Sequence, residues 1–101
     1  MQEEDFAALP GSEIVLPGLR DLAKGFVTAN SLLVSIAAPN LRRHGFEVPD
    51  MAGIELPYEH RLYEMLLAER REGAYSRYNA LMRRLVSFEH ALVRLRRVGN
   101  E

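Results

Sequence analysis

Leucine and aromatic residues recur at alternating steps of three and four between residues 78 and 95 of this 101-residue chain. This spacing places them on one side of an α-helix, as in the apolar seam of packed helices. The seam consists of Tyr78, Leu81, Leu85, Phe88, Leu92 and Leu95. We therefore predict a long last helix, from Ala74 to Val98, that buries one side against other helices or a second chain.

Further apolar residues widen this seam into a half-cylinder: Tyr75, Met82, Val86 and Val93. A helix from Ala74 to Val98 is about 37 Å long at 1.5 Å per residue, longer than a four-helix domain of this size is wide. Part of the seam is then expected to protrude. A second copy of the chain is the simplest cover, so we predict a homodimer.

Proline, glycine and hydroxyl residues divide the rest of the chain into shorter helices. Proline suits the first turn of a helix, Ser or Thr its cap, and glycine its end. We predict helices at Pro17–Lys24, at Thr28 or Ser31 to Ala38, and at Pro57–Glu72, with a short helix at Asn40–His44. Pro39 is expected to interrupt the second helix, because it lacks the N–H that an interior position needs.

These elements predict an all-α fold. We expect a bundle of about four helices in which the last two form an antiparallel hairpin around Gly73. Residues 1–16 are interpreted as an irregular acidic lead-in and residues 17–101 as a single helical domain. The connection from 46 to 56 is longer than most helix–helix links, so it is either packed down or mobile.

Composition excludes several classes of protein. The chain has no cysteine, which rules out disulfides, thiolate metal sites and a cysteine nucleophile. Apolar residues make up 48% of it, too many for a disordered chain. No apolar run approaches the roughly 20 residues that span a bilayer, and the first residues are acidic rather than basic. We therefore expect a cytoplasmic protein with no membrane partner.

Charge is divided unevenly along the chain. Residues 1–59 carry 4 basic and 9 acidic residues, whereas residues 60–101 carry 9 basic and 5 acidic ones. Twelve of the 13 basic residues are arginine, a bias found in GC-rich genomes. The basic half can face the acidic half, an acidic protein or a nucleic acid. For nucleic acid, the candidate residues on the last helix are Arg77, Arg83, Arg84 and Arg94.

The preferred interpretation is a small non-catalytic interaction module, or a regulatory subunit, that docks through its last helix. Its partner is another protein or its own copy. Interfaces commonly centre on apolar and aromatic anchors with arginines at the rim. The candidate docking residues are Phe88, Leu92 and Leu95, with Arg94 and Arg97 at the rim.

Two glutamates, Glu69 and Glu89, fall inside apolar helix faces. A carboxylate at such a position needs a partner, and we expect an arginine or a tyrosine hydroxyl to supply it. Neither glutamate has a histidine three residues away, as the Glu-x-x-His pattern of bundle di-metal sites requires. We therefore expect neither a metal ion nor a cofactor.

One short pattern has an enzymatic interpretation. Arg83 is followed after six residues by His90, on the same side of the helix. The pair resembles the short Arg–His motif of the HEPN family of helical RNases, over eight residues of the chain. The resemblance implies that Arg83 would stabilise a phosphate and that His90 would transfer a proton. Phosphate-binding glycine loops and nucleophile elbows are absent from the sequence, which favours a protein without catalytic activity.

Overall fold

The structure, a computed structural model, describes residues 6–51, 53, 54 and 57–99, except for the side chains of residues 96–99. Within these ranges it contains no strand and four helices longer than one turn. They are α1 (Ser12–Ala23), α2 (Ala29–Arg43), α3 (Tyr58–Glu69) and α4 (Ala74–Gly99). The predicted all-α helical bundle is confirmed. No described helix combines the length and the apolar character needed to cross a lipid bilayer.

Helix α2 lies at the centre of the bundle. Its apolar residues occur all round the helix, which is the pattern of a segment buried on every side. Four of them are completely inaccessible to solvent: Leu32, Leu33, Val34 and Leu41. The core is therefore built around α2, and α1, α3 and α4 each pack against it.

Both predicted caps of α2 act together at its start. The Thr28 hydroxyl accepts a hydrogen bond from the Ser31 N–H at 3.1 Å, and the Ser31 hydroxyl accepts one from the Thr28 N–H at 2.8 Å. This reciprocal capping box satisfies two N–H groups that have no acceptor inside the helix. The Thr28 hydroxyl also donates to the Asp21 carboxylate at 2.7 Å, which ties the cap to α1.

The prediction that Pro39 ends this helix is wrong. Helix α2 continues through Pro39 to Arg43 and absorbs the predicted short helix at Asn40–His44. Pro39 is exposed, so its ring faces solvent and removes only one N–H from the hydrogen-bond ladder. Ala38 on one side and Leu41 on the other remain buried, and their burial holds the helix together across the break.

Helix α1 also differs from the prediction, since it begins at Ser12 and not at Pro17. Residues 12–16 of the expected irregular lead-in are thus helical. The residues buried in α1 are spaced for one helix face: Ile14, Val15, Gly18 and Leu22. Burial of this face outweighs the hydrogen bond that Pro17 removes from the helix interior.

Two glycines allow α1 to approach its neighbours closely. At Gly18, a Cβ atom would lie 2.4 Å from the Asn30 carbonyl oxygen and 2.6 Å from Val34 Cγ2, both on α2. At Gly11, where φ is +87°, a Cβ atom would lie 2.4 Å from the Arg84 carbonyl oxygen on α4. Both contacts depend on the missing side chain, because real Cβ atoms do not approach other atoms so closely.

Helices α3 and α4 form the predicted antiparallel hairpin. The Tyr63 and Tyr78 rings meet edge to face with centroids 5.9 Å apart, and Arg77 reaches back to Leu66. In each pair, the two residues are about equally far along the chain from the turn, as antiparallel helices require. Helix α3 ends at Glu69, three residues earlier than predicted, because Arg70 has an extended backbone.

The connection between α2 and α3 is packed down over its first part. Val48 is buried, and its carbonyl oxygen accepts hydrogen bonds from the Arg42 guanidinium at 2.6 and 3.2 Å. Arg42 also pairs with Asp50 at 3.0 Å. Phe46 completes this cover, since its ring lies 4.8 Å from the ring of Phe6 and 6.3 Å from that of Phe88.

Candidate docking surface

The central part of the α4 seam belongs to the core of the bundle. Leu85, Phe88 and Leu92 are nearly inaccessible to solvent, and Phe88 is completely so. Phe88 and Leu92 therefore have no surface left for a partner, so they are core residues and not the predicted docking anchors. Leu95 is half-buried and Arg94 is exposed, whereas the Arg97 side chain lies outside the described part of the chain.

The apolar residues that widen the seam are the ones left open to solvent. Tyr75 is 67% exposed, Val86 42% and Val93 40%, and Met82 is half-buried. They lie about a third of a turn around α4 from the buried face. We use the name exposed stripe for this face together with the polar residues between them: Tyr75, Asn79, Met82, Val86, Glu89 and Val93.

Two concavities follow the exposed stripe and share Val86. A shallow, open depression of about 770 Å³ lies over the first half of α4, and all of its lining residues, from Tyr75 to Ser87, belong to this helix. A cleft of about 260 Å³ continues it between α4 and the end of α2, where Asn40, Arg43 and His44 form the opposite wall. The surface is therefore a shallow trough along a helix, a shape that accepts another helix.

The two glutamates of the apolar faces both find partners. Glu89 accepts a hydrogen bond from the side-chain amide of Asn40, so its partner is an amide rather than the predicted arginine or tyrosine. Glu69 pairs with an arginine as predicted, with 3.7 Å between its Oε2 and Arg77 Nη1. The sequence does not indicate Asn40 as this partner, because Pro39 predicts a break in the helix before it. A continuous α2 brings Asn40 alongside α4.

Arg77, the first of the four predicted nucleic-acid contacts, is used inside the fold. Its Nη2 donates to the Leu66 carbonyl oxygen at 3.1 Å and to the Arg70 carbonyl oxygen. The Leu66 carbonyl oxygen already accepts the Arg70 N–H at 3.1 Å, so Arg77 adds a second donor there and also binds the Arg70 carbonyl oxygen just after the last helical residue. Arg77 thus caps α3 and fixes the hairpin.

The other three arginines are exposed. Arg84 pairs with Glu13 of α1, and this contact joins the basic half of the chain to the acidic half. Arg83 lines the depression beside the exposed stripe, and neither it nor Arg94 forms a salt bridge with another residue that the structure describes. Only Arg83 and Arg94 of the predicted set are thus available to a polyanion.

The Arg–His pair that resembles the HEPN motif is exposed on one side of α4. Arg83 lines the depression and His90 the adjoining cleft, so the two are neighbours along the same trough. The enzymatic interpretation remains a prediction. Over the described residues, no group of three or more metal-ligating side chains is assembled.

Tyr78 supports the trough from within the hairpin. Burial raises the pKa of its hydroxyl above the ordinary value of 10, and the negative charge of Glu59 raises it further. Both effects disfavour the phenolate, so Tyr78 stays neutral at physiological pH. Its ring makes an edge-to-face contact with Tyr63, which fixes the start of α4 against α3.

A groove, of about 560 Å³, lies between α1 and residues 44–47 and shares His44 with the cleft. Its apolar wall includes Phe6, Leu19 and Phe46, and its rim carries Arg20 and Glu47. Charges of both signs at the rim give the groove no preference for an anion or a cation. The trough along α4 is the stronger candidate for a docking site, because the residues of the exposed stripe follow one helix.

Comparisons of the chain with protein-family models, with curated proteins and with solved structures each found no match.

Proposed function

We propose that this chain is a small non-catalytic helical interaction module, or a regulatory subunit, that docks a protein partner along α4. The observation that supports the proposal is the exposed stripe, in which Tyr75, Val86 and Val93 remain accessible after the bundle has formed. Exposed apolar side chains are common singly, but apolar side chains that recur along one face of a helix are typical of an interaction site. The trough beside the row gives the partner a defined direction.

The proposal is tested by comparing protein captured with wild-type and variant chains in cells of the source organism. We expect a partner, either another protein or the chain itself, whose capture falls by about tenfold or more with Val86→Glu. A buried unpaired carboxylate would oppose docking at that position. Ala80→Glu is the matched control, since Ala80 is exposed on the opposite side of α4. Capture that is equal for all three chains would overturn the proposal.

Nucleic-acid binding is the second candidate function, and the exposed Arg83 and Arg94 favour it. The use of Arg77 and Arg84 in contacts within the chain weakens it. A gel shift with RNA and DNA at about 50 and 200 mM salt distinguishes the two candidates, because phosphate contacts weaken steeply with salt. A shift that Arg83→Gln abolishes would favour nucleic acid over a protein partner.

A further inference from the structure

The exposed stripe has the spacing of a second, independent helix seam. From Tyr75 to Val93 its members follow steps of four, three, four, three and four. This is the heptad pattern in which alternate residues, the a and d positions, face a partner helix. Valines occupy two of the a positions, at Val86 and Val93, so apolar side chains face the partner helix there.

The stripe is symmetric about its own midpoint when it is paired with an antiparallel copy. In that arrangement Val86 lies opposite Met82 of the partner subunit, and Val93 lies opposite Tyr75 of the partner subunit. A small side chain thus meets a large one in every apolar layer, and the two-fold axis repeats each layer. Asn79 then lies opposite Glu89 of the partner subunit.

The polar layers decide the direction of the pairing. In the antiparallel arrangement the Asn79 amide donates to the Glu89 carboxylate of the partner subunit. Glu89 can accept this bond, because Asn40 bonds to its Oε2 and leaves the second carboxylate oxygen available. In a parallel arrangement Glu89 would face Glu89 of the partner subunit, and two like charges at a contact repel each other.

We propose that the exposed stripe is a self-association surface, on which a second copy of this chain places its own α4 in the antiparallel direction. The inference rests on the proposed function, since it names the partner that docks along α4. An acidic protein or a nucleic acid would meet the Glu89 carboxylate within the stripe. A second copy instead brings Asn79, the group that this carboxylate can bind.

One contact in the pairing is unfavourable, and it gives the dimer a salt dependence that distinguishes it from other complexes. Arg83 flanks the midpoint of the stripe, so the two copies of Arg83 approach each other near the two-fold axis. Salt screens this repulsion and therefore strengthens the dimer. Docking of an acidic partner or of phosphates on the same arginines would weaken with salt.

Sedimentation equilibrium of the full chain at micromolar concentrations, in about 50 and 500 mM salt, tests the association. We expect twice the chain mass of 11.5 kDa, with a lower dissociation constant at the higher salt. Val86→Glu should weaken the dimer by more than about tenfold, Ala80→Glu should leave it unchanged, and Arg83→Gln should tighten it. Circular dichroism spectra establish that the three variants are folded.

Engineered cysteines test the direction, because the chain has none of its own. Under mild oxidation, a mixture of Asn79→Cys and Glu89→Cys chains should form a disulfide-linked heterodimer. Each variant alone should not, since its cysteines lie about 15 Å apart along the antiparallel pair, ten residues at 1.5 Å each. Efficient crosslinking of either variant alone would overturn the antiparallel arrangement.

The outcomes separate this inference from the proposed function. A chain that stays monomeric at both salt concentrations overturns self-association. The proposed function then still stands if another protein is captured in a manner that depends on Val86. A dimer that weakens with salt, or one that is insensitive to Val86→Glu, also overturns the inference, because its interface would lie elsewhere.

Discussion

Arg77 has a different role in the structure from the one that the sequence suggests. In the sequence it is one of several arginines on a basic helix, next to tyrosines that could stack on bases. In the structure its guanidinium donates to carbonyl oxygens at the end of α3, and its Nε atom is buried. The residue is therefore part of the scaffold that fixes the hairpin.

Arg77→Met should lower the free energy of unfolding by about 1–3 kcal/mol, because hydrogen bonds from a charged donor are lost while the apolar stem is kept. Urea unfolding followed by circular dichroism measures the change. Arg94→Met is the matched control, since Arg94 is exposed on the same helix outside the exposed stripe and should change stability by less than about 0.5 kcal/mol. Equal losses for the two variants would contradict the capping role.

At the scale of elements, the approach of α1 to α2 depends on Gly18. The missing side chain lets the Asn30 backbone and Val34 come into contact with α1, and the burial of Val34 follows from that contact. The sequence places Gly18 inside the predicted helix Pro17–Lys24 but gives no reason for a glycine at that position. Its role becomes visible only when the neighbouring helix is in place.

Gly18→Ala should destabilise the protein by about 1–3 kcal/mol, since the added methyl group overlaps the Asn30 carbonyl and Val34. Helix propensity alone would predict the opposite effect, because it favours alanine over glycine by about 1 kcal/mol. Thermal unfolding of this variant and of Ser87→Ala, at an exposed position of α4, measures the effect. A stabilised Gly18→Ala chain would show that α1 and α2 lie further apart.

At the scale of the whole molecule, Phe88 is the residue on which separate segments converge. It packs against Phe46 from the connection, it lies beside Gly11 at the start of α1, and it is completely buried. The sequence suggested a docking anchor at this position. The structure makes it a central residue of the core.

Phe88→Ala should therefore cost about 3–5 kcal/mol of unfolding free energy, a large part of the roughly 5–15 kcal/mol that stabilises a domain. Val86→Ala, on the exposed stripe two residues away, should cost less than about 1 kcal/mol. Urea denaturation at a fixed protein concentration compares them. A Phe88→Ala chain as stable as the wild type would return this residue to the docking surface.

The uneven distribution of charge along the chain is partly compensated within the folded molecule. The acidic and basic halves meet within one molecule where Glu13 of α1 pairs with Arg84 of α4. The contact is exposed, so it adds little stability. It shows that part of the basic helix already faces the acidic half of its own chain, while Arg83 and Arg94 face outward.

The all-α class and the α3–α4 hairpin could be predicted from the sequence, because both follow from local periodicity and turn chemistry. The sequence also indicated where α2 begins, near Thr28, and where α1 ends, near Gly25. The tertiary structure decided where α1 begins and that α2 crosses Pro39. In both helices a proline removes one hydrogen bond, and burial against neighbours outweighs that loss.

The tertiary structure also decided which side of α4 is available to a partner. The periodicity of residues 78–95 shows an apolar face wider than a single seam, but it does not show how much of that face other helices cover. Close packing at Gly11 and the ring of Phe46 bury Phe88, and they leave Tyr75, Val86 and Val93 to solvent. Exposure depends on residues distant in the chain, so no local pattern could have predicted it.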